Sequence, residues 1–186
     1  MRICPWPQLP SRPPPGEAVL VRVPVSPSRF EARREARTVL RTVLAAWSGL
    51  PPDQLPLDET PRGPLWRGEP LGISLSYGAG EAWIGLLRGG RIGVDVMRVE
   101  LFAELHEVAQ TYLDPSAAGA IRQAPDPARA FAAAWTAREA ALKCAQRGLT
   151  EWASGALPPC ETETVAIGAD VVGAVARQAL PRGSTA

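Results

Sequence analysis

The chain has 186 residues, of which 46% are hydrophobic and 21% charged. Such a composition can support a compact core and excludes a chain that is disordered throughout. The 20 basic and 19 acidic residues nearly balance, which excludes the general basic bias of nucleic-acid-binding proteins. We therefore expect a globular domain without a nucleic-acid partner.

The N-terminal quarter is predicted to contain a leader, one strand and one long helix. Residues 1–16 are rich in proline and are expected to form an extended, loosely ordered leader. A strand is predicted at 18–24, and Ser28 with Glu31 forms a capping-box signature for a helix that ends near Gly49. Five arginines of this helix form a candidate anion-binding cluster, namely Arg29, Arg33, Arg34, Arg37 and Arg41.

The next segment is predicted to be a loop followed by strands. Residues 50–70 are rich in proline, aspartate and glycine, as is typical of a long loop. Three strands are then predicted, joined by glycine turns, at 73–77, 81–88 and 91–97. Consecutive hairpins of this kind favour an antiparallel or mixed sheet.

The C-terminal half is predicted to be helical before one or two closing strands at 164–176. Helices are expected at 102–112, at 116–122, and from Asp126–Pro127 to about Gly148. This order predicts an α+β fold with two lobes that meet near Arg98. The predicted divisions are a leader at 1–16, an N-terminal lobe at 17–98, a C-terminal lobe at 99–180 and a loose tail at 181–186.

Cellular context is predicted from the cysteines and from apolar runs. Cys4, Cys144 and Cys160 have neither metal-ligand nor disulfide spacing. The sequence shows no secretory signal and no apolar run long enough to span a bilayer. These features indicate a reducing cytoplasm and no membrane partner. We expect a monomer.

Two carboxylates and a lysine form the candidate chemical site. Asp95 lies among apolar residues of a predicted strand, where burial is costly unless the carboxylate is paired or binds a metal. A solvated or arginine-paired aspartate fits this strand equally well. Glu139 and Lys143 share one helix face and, taken alone, form an ordinary stabilising pair. Their helix, however, is apolar nearly all round, so its charges need partners. The three together suit a hard divalent metal and a phosphate-bearing ligand.

Three sequence blocks occur in an informative order. They are Trp66–Pro70 with Ile73–Tyr77, then Ile92–Asp95, then Phe131–Leu149 with Trp135, Arg138, Glu139, Ala140 and Lys143. Together they resemble the Sfp-type 4′-phosphopantetheinyl transferases, over roughly residues 33–149. These enzymes move phosphopantetheine from coenzyme A to a serine of an acyl or peptidyl carrier protein, releasing adenosine 3′,5′-bisphosphate. The resemblance implies a Mg²⁺-dependent transferase that activates carrier proteins of polyketide, fatty-acid or nonribosomal peptide synthesis.

The resemblance also implies a fold and residue roles. The expected fold is a pseudo-symmetric pair of α+β lobes with the active site between them. Asp95 and Glu139 would hold Mg²⁺, Glu139 would help to deprotonate the carrier serine, directly or through water, and Lys143 would contact the pyrophosphate. Residues expected to help bind coenzyme A are Ser76, Tyr77, Gly68, Pro70, Arg37 and Arg41.

Three positions depart from the family pattern and leave alternatives open. Met97, Tyr77 and Glu69 stand where the family has an acid, a histidine and a lysine. Because a thioether is a poor ligand for Mg²⁺, metal binding would rest on Asp95, Glu139, substrate and water. One alternative is a non-catalytic relative that binds coenzyme A or a carrier protein. A second is a transferase that tolerates dephospho-coenzyme A, and a third is a globular domain with chance matches.

Overall fold

The computed structural model describes residues 1–152 and 159–180. In chain order its first elements are β1 (Arg2–Pro5), β2 (Ala18–Pro24), α1 (Arg29–Ser48), β3 (Leu57–Thr60), β4 (Gly63–Trp66), β5 (Leu71–Gly78), β6 (Glu81–Arg88) and β7 (Gly90–Arg98). The remaining ones are α2 (Leu105–Tyr112), α3 (Pro115–Gln123), α4 (Pro127–Cys144), β8 (Glu161–Ala166) and β9 (Val171–Ala179). The predicted α+β class is confirmed.

The first sheet has four strands in the order β1-β2-β6-β5. The last three are antiparallel, whereas β1 runs parallel to β2, which makes the sheet mixed. Helix α1 covers one face, and its apolar stripe packs on the strands through Val39, Leu40, Val43 and Leu44. Its predicted ends are confirmed, because the Ser28 side chain accepts from the Glu31 N–H and Gly49 takes a left-handed conformation.

The leader and the loop at 50–70 differ from the predictions. Residues 2–5 are not a loose leader, because β1 pairs with β2, and the following prolines are anchored by side chains. The Trp47 indole N–H donates to the Pro10 carbonyl at 2.7 Å, and Arg88 donates to the Pro13 carbonyl at 3.0 Å. Within the predicted loop, β3 and β4 form a two-stranded hairpin.

The predicted hairpin between β6 and β7 is wrong. β7 instead joins a separate three-stranded sheet in the order β7-β9-β8. β7 ends at Arg98 and β9 lies in the predicted C-terminal lobe, so strand pairing crosses the predicted lobe boundary. β7 also passes close to β5, where a Cβ added at Gly72 would lie 2.6 Å from the Gly90 carbonyl oxygen. The strand that carries Asp95 therefore contacts both sheets.

The helices of the C-terminal half pack around α4. Phe131 and the buried residues Leu105, Leu113 and Ile121 form one apolar cluster there. Helix α4 begins at Pro127 as predicted but ends at Cys144, before Gly148. The predicted tail at 181–186 lies outside the described residues. Within the described ranges, no helix combines the length and apolarity needed to cross a membrane.

Candidate active site

Asp95 is held on β7 by two donors from other elements. It is 9% exposed, and its Oδ1 accepts from the Ser76 hydroxyl at 2.9 Å and from the Lys143 ammonium at 2.7 Å. Lys143 also donates to the Val94 carbonyl at 3.1 Å. The aspartate is thus neither solvated nor paired with an arginine. Strands β5 and β7 and helix α4 meet at this carboxylate.

Close packing of α4 on β7 explains how Lys143 reaches Asp95. Gly93 lies two residues before Asp95 on β7, so both face the same side of the strand. A Cβ at Gly93 would lie 1.8 Å from the Ala140 carbonyl oxygen and 2.5 Å from the Cys144 nitrogen. Only a residue without a side chain allows this approach. It places the last two turns of α4 directly beside Asp95.

Glu139 lies one helical turn before Lys143 and carries an unusual carboxylate. Its Oε1 is buried and has no hydrogen-bond partner among the described residues. Burial raises the pKa of Glu139, the charge of Asp95 raises it further, and Lys143 and Arg138 oppose these effects. Lys143 pairs with Asp95 rather than with Glu139. Asp95 and Glu139 therefore form a partly buried pair of acids, in which the Glu139 Oε1 has no hydrogen-bond partner among the described residues.

This donor set fits a hard cation. A cation between the two carboxylates would satisfy the orphaned Oε1 and relieve the repulsion that raises the pKa of Glu139. Among residues 1–152 and 159–180, no group of three or more His, Cys, Asp or Glu side chains is placed to bind a metal. Two carboxylates are nevertheless the number that Mg²⁺ uses when phosphates and water supply the remaining ligands.

A cavity of about 480 Å³ adjoins this cluster. Its lining includes Asp95, Lys143, Ser76 and Tyr77, together with the beginning of α1 and the residues before it. The Tyr77 hydroxyl is buried without a described hydrogen-bond partner. Burial raises the pKa of Tyr77, while nearby Arg37 and Arg33 act to lower it. The cavity lining thus combines the cationic Arg29 and Lys143 with the acidic Asp95 and Glu81, whereas Glu139 lies outside it.

Three polar cavity residues, Ser26, Arg29 and Glu81, were not predicted individually as site residues. Arg29 belonged to the predicted arginine cluster, but nothing in its spacing distinguished it from the other four. The Ser28 cap was the available signal, because it places Arg29 in the first turn of α1. Unpaired N–H groups at a helix N-terminus favour anions, and Arg29 adds a full positive charge there.

The remaining predicted coenzyme A residues do not line this cavity. Arg37 pairs with Glu59 at 2.9 Å, and Arg41 donates to the Pro52 carbonyl at 3.3 Å. Gly68 lies against the Trp66 indole, and the Pro70 carbonyl accepts from the Gly89 N–H at 2.8 Å. Their roles in binding coenzyme A stay predictions.

Two more residues of the matching sequence blocks have roles outside the cavity. Glu69 is neutralised by Arg12 and Arg88 and does not line the cavity of Asp95. Arg138 is 7% exposed, donates to the Thr150 carbonyl at 2.9 Å, and lies over the Trp152 ring at 5.1 Å. Arg138 therefore anchors the chain that follows α4.

Comparison with protein families connects this geometry to a known chemistry. Residues 91–172 match the family model of the 4′-phosphopantetheinyl transferase superfamily. The match spans less than half of the chain but contains Asp95, Glu139 and Lys143. It supports phosphopantetheine transfer in general, while the Sfp-type assignment stays a prediction. A comparison with curated proteins gives no match.

Proposed function

We propose that this chain is an Sfp-type transferase that moves 4′-phosphopantetheine from coenzyme A to a serine of an acyl or peptidyl carrier protein. The observation that carries the proposal is the meeting of Asp95, Glu139 and Lys143 within the matched segment. A structural helix would satisfy its charges internally, whereas Glu139 has a buried oxygen without a hydrogen-bond partner in the part of the chain that the structure describes. Such unsatisfied, perturbed groups are concentrated at functional sites.

Asp95 and Glu139 would hold the Mg²⁺ ion, and the coenzyme A pyrophosphate and water would complete its ligands. When bound, the ion supplies positive charge that stabilises the pyrophosphate in the transition state. Lys143 lines the cavity, donates to Asp95 and would contact the same pyrophosphate. Arg29 and the N-terminus of α1 would attract the phosphates to this cavity.

In the proposed reaction, the carrier serine oxygen attacks the pyrophosphate phosphorus that bears the pantetheine arm. A serine O–P bond forms, and the bond from that phosphorus to the bridging oxygen breaks. The leaving group is adenosine 3′,5′-bisphosphate. Glu139 takes the serine proton, directly or through water, as the general base. The reaction needs no co-reactant besides coenzyme A and the carrier protein.

We also propose a lobe arrangement, a class of carrier protein and a cellular location for this enzyme. The two sheets and their helices would correspond to two pseudo-symmetric lobes with the site between them. The carrier protein would belong to polyketide, fatty-acid or nonribosomal peptide synthesis, and the enzyme would act as a cytoplasmic monomer. The cavity volume lies within the range of ligand pockets, about 300 to 1,000 Å³.

Intact-mass spectrometry of an apo carrier protein tests the proposed function. The carrier is incubated with this protein, coenzyme A and Mg²⁺, with parallel reactions that contain EDTA or a carrier whose acceptor serine is alanine. We expect a phosphopantetheine mass gain only in the complete reaction. A second donor series compares coenzyme A with dephospho-coenzyme A.

Each other result has a defined meaning. Absence of a mass gain across several carriers, while the folded protein binds coenzyme A in calorimetry, would replace the proposal with the non-catalytic alternative. A gain that persists in EDTA would overturn the metal role of Asp95 and Glu139. Equal use of both donors would favour the dephospho-coenzyme A alternative.

Ser76→Ala is expected to weaken both stability and transfer, because Ser76 positions Asp95. Its hydroxyl donates to Asp95 and accepts from the Val96 N–H at 3.1 Å. Loss of a hydrogen bond to a charged group predicts a destabilisation of about 1.5–3 kcal/mol, measured by urea unfolding.

Ser74→Ala is the matched control for this prediction. Ser74 accepts from the Val94 N–H at 2.9 Å two residues earlier on the same strand, and its described bonds do not include Asp95. Both variants should lose stability, but only Ser76→Ala should also raise the Mg²⁺ concentration needed for half-maximal transfer. Equal Mg²⁺ dependence in the two variants would show that Ser76 does not position Asp95.

A further inference from the structure

Two thiols lie in contact behind the candidate active site. The Sγ atoms of Cys144 and Cys160 are 3.1 Å apart, and both residues are free cysteines. Cys144 is the last residue of α4, and Cys160 directly precedes β8. The sequence spacing of the cysteines gave no indication of this pair. The fold creates it, because α4 packs on the sheet in which β8 is an edge strand.

We propose that Cys144 and Cys160 form a dithiol that is reversibly oxidised to an intramolecular disulfide. The modification would join the C-terminus of α4 to the beginning of β8. A disulfide bond is about 2.05 Å long, so the two sulfur atoms need to approach by only about 1 Å. Cys4 lies on β1 and is not part of the pair.

The surroundings of the two sulfurs determine the order of the chemistry. Cys144 is 1% exposed, and its thiol contacts the Arg91 carbonyl at 3.6 Å. Burial, with a further effect from Cys160, raises the pKa of Cys144 to about 12. Cys144 is therefore almost entirely protonated at neutral pH, whereas Cys160 is only partly buried. A small oxidant should react first at Cys160.

A hydroperoxide is the oxidant class that fits this arrangement. The Cys160 thiolate attacks one peroxide oxygen, the O–O bond breaks, and a sulfenic acid forms. The departing hydroxide or alkoxide takes up the proton that the Cys160 thiol lost and leaves as water or an alcohol. The Cys144 sulfur then displaces hydroxide from the Cys160 sulfur, and the Cys144 proton converts that hydroxide to water. The two thiols lose two electrons, and the peroxide gains them. A dithiol reductant reverses the modification.

Thiol counting after oxidation tests this proposal on the full chain. The folded protein is treated with hydrogen peroxide, denatured, alkylated with N-ethylmaleimide and weighed by intact-mass spectrometry. The number of alkylated thiols should fall from three to one and return to three after dithiothreitol. A non-reducing digest should link the peptide that contains Cys144 to the peptide that contains Cys160.

Two variants make the result specific. Cys160→Ser should prevent the internal cross-link, whereas Cys4→Ser should leave it intact, with two alkylated thiols falling to none. Cross-linked dimers through Cys4, or over-oxidation of Cys160 with Cys144 still alkylated, would overturn the proposal. The readout does not depend on transferase activity, so it can fail or succeed independently of the proposed function.

Discussion

Glu139→Gln is expected to reduce phosphopantetheine transfer by about 10²–10⁴-fold, the range associated with loss of a general base. The substitution keeps the size of the side chain but removes its charge, its proton-accepting ability and most of its affinity for Mg²⁺. Transfer is measured as the initial rate of carrier mass gain at saturating coenzyme A. Glu107→Gln, an exposed position on α2, is the control and should retain the full rate.

The stability of the same variant separates a chemical effect from misfolding. Because the pKa of Glu139 is raised in the folded state, the native protein binds its proton more tightly than the unfolded chain does. This contribution to stability is fully present below the ordinary glutamate pKa of about 4.3 and is lost as pH rises through the folded-state pKa. Glu139→Gln should therefore unfold at higher urea than the wild type at pH 7, with a smaller difference at pH 4.5.

Mg²⁺ adds a second signature to this variant. An ion that binds only the native state raises the unfolding temperature, by an amount that grows with the logarithm of its affinity. The wild type should gain stability from Mg²⁺ with coenzyme A, and Glu139→Gln should gain less. An inactive variant that is also less stable at pH 7 would contradict the interpretation of Glu139 as a strained functional carboxylate.

Local signals explain which elements the sequence predicted well. Both ends of α1 follow from the Ser28 cap and Gly49, and the beginning of α4 follows from Asp126–Pro127. These signals act within one turn of chain, so no knowledge of the tertiary structure is needed. The end of α4 was missed because Gln146 takes a left-handed conformation before Gly148 is reached.

Pairing between distant segments was the part that local patterns could not provide. Gly89 and Gly90 indicate a reversal of the chain, but they do not reveal that β7 pairs with β9. Likewise, the proline-rich leader gave no local signal for a strand. β1 has only four residues, and it forms because it pairs in parallel with β2. Strand order is determined by packing across the whole core.

In the candidate site, too, local signals indicated single residues but not the contacts between distant ones. Asp95, Glu139 and Lys143 were predictable because apolar surroundings make isolated charges conspicuous in a sequence. The ion pair between Asp95 and Lys143 was not predictable, since they are 48 residues apart. Glu139, which is much nearer to Lys143 in the sequence, was the expected partner of that lysine. The contact of Cys144 with Cys160 was hidden for the same reason.

Gly93→Ala is expected to destabilise the protein by at least about 3 kcal/mol, the upper end of the usual cost of overpacking. A methyl group there would overlap the Ala140 carbonyl oxygen, and backbone atoms cannot rotate away as a flexible side chain can. Either α4 retreats from β7 or the strand bends. The free energy of unfolding, measured in urea, should fall accordingly, and soluble expression should drop with it.

Gly119→Ala is the matched control because no heavy atom lies within 4 Å of the added methyl group in α3. It should stabilise the protein by up to about 1 kcal/mol, since alanine is the better helix former. If Gly93→Ala still folds, its transfer rate should fall further than its folded fraction explains, because a displaced α4 carries Glu139 and Lys143 away from Asp95. Unchanged unfolding and unchanged transfer would refute the close packing of α4 on β7, and with it the basis for assembling the site at Asp95.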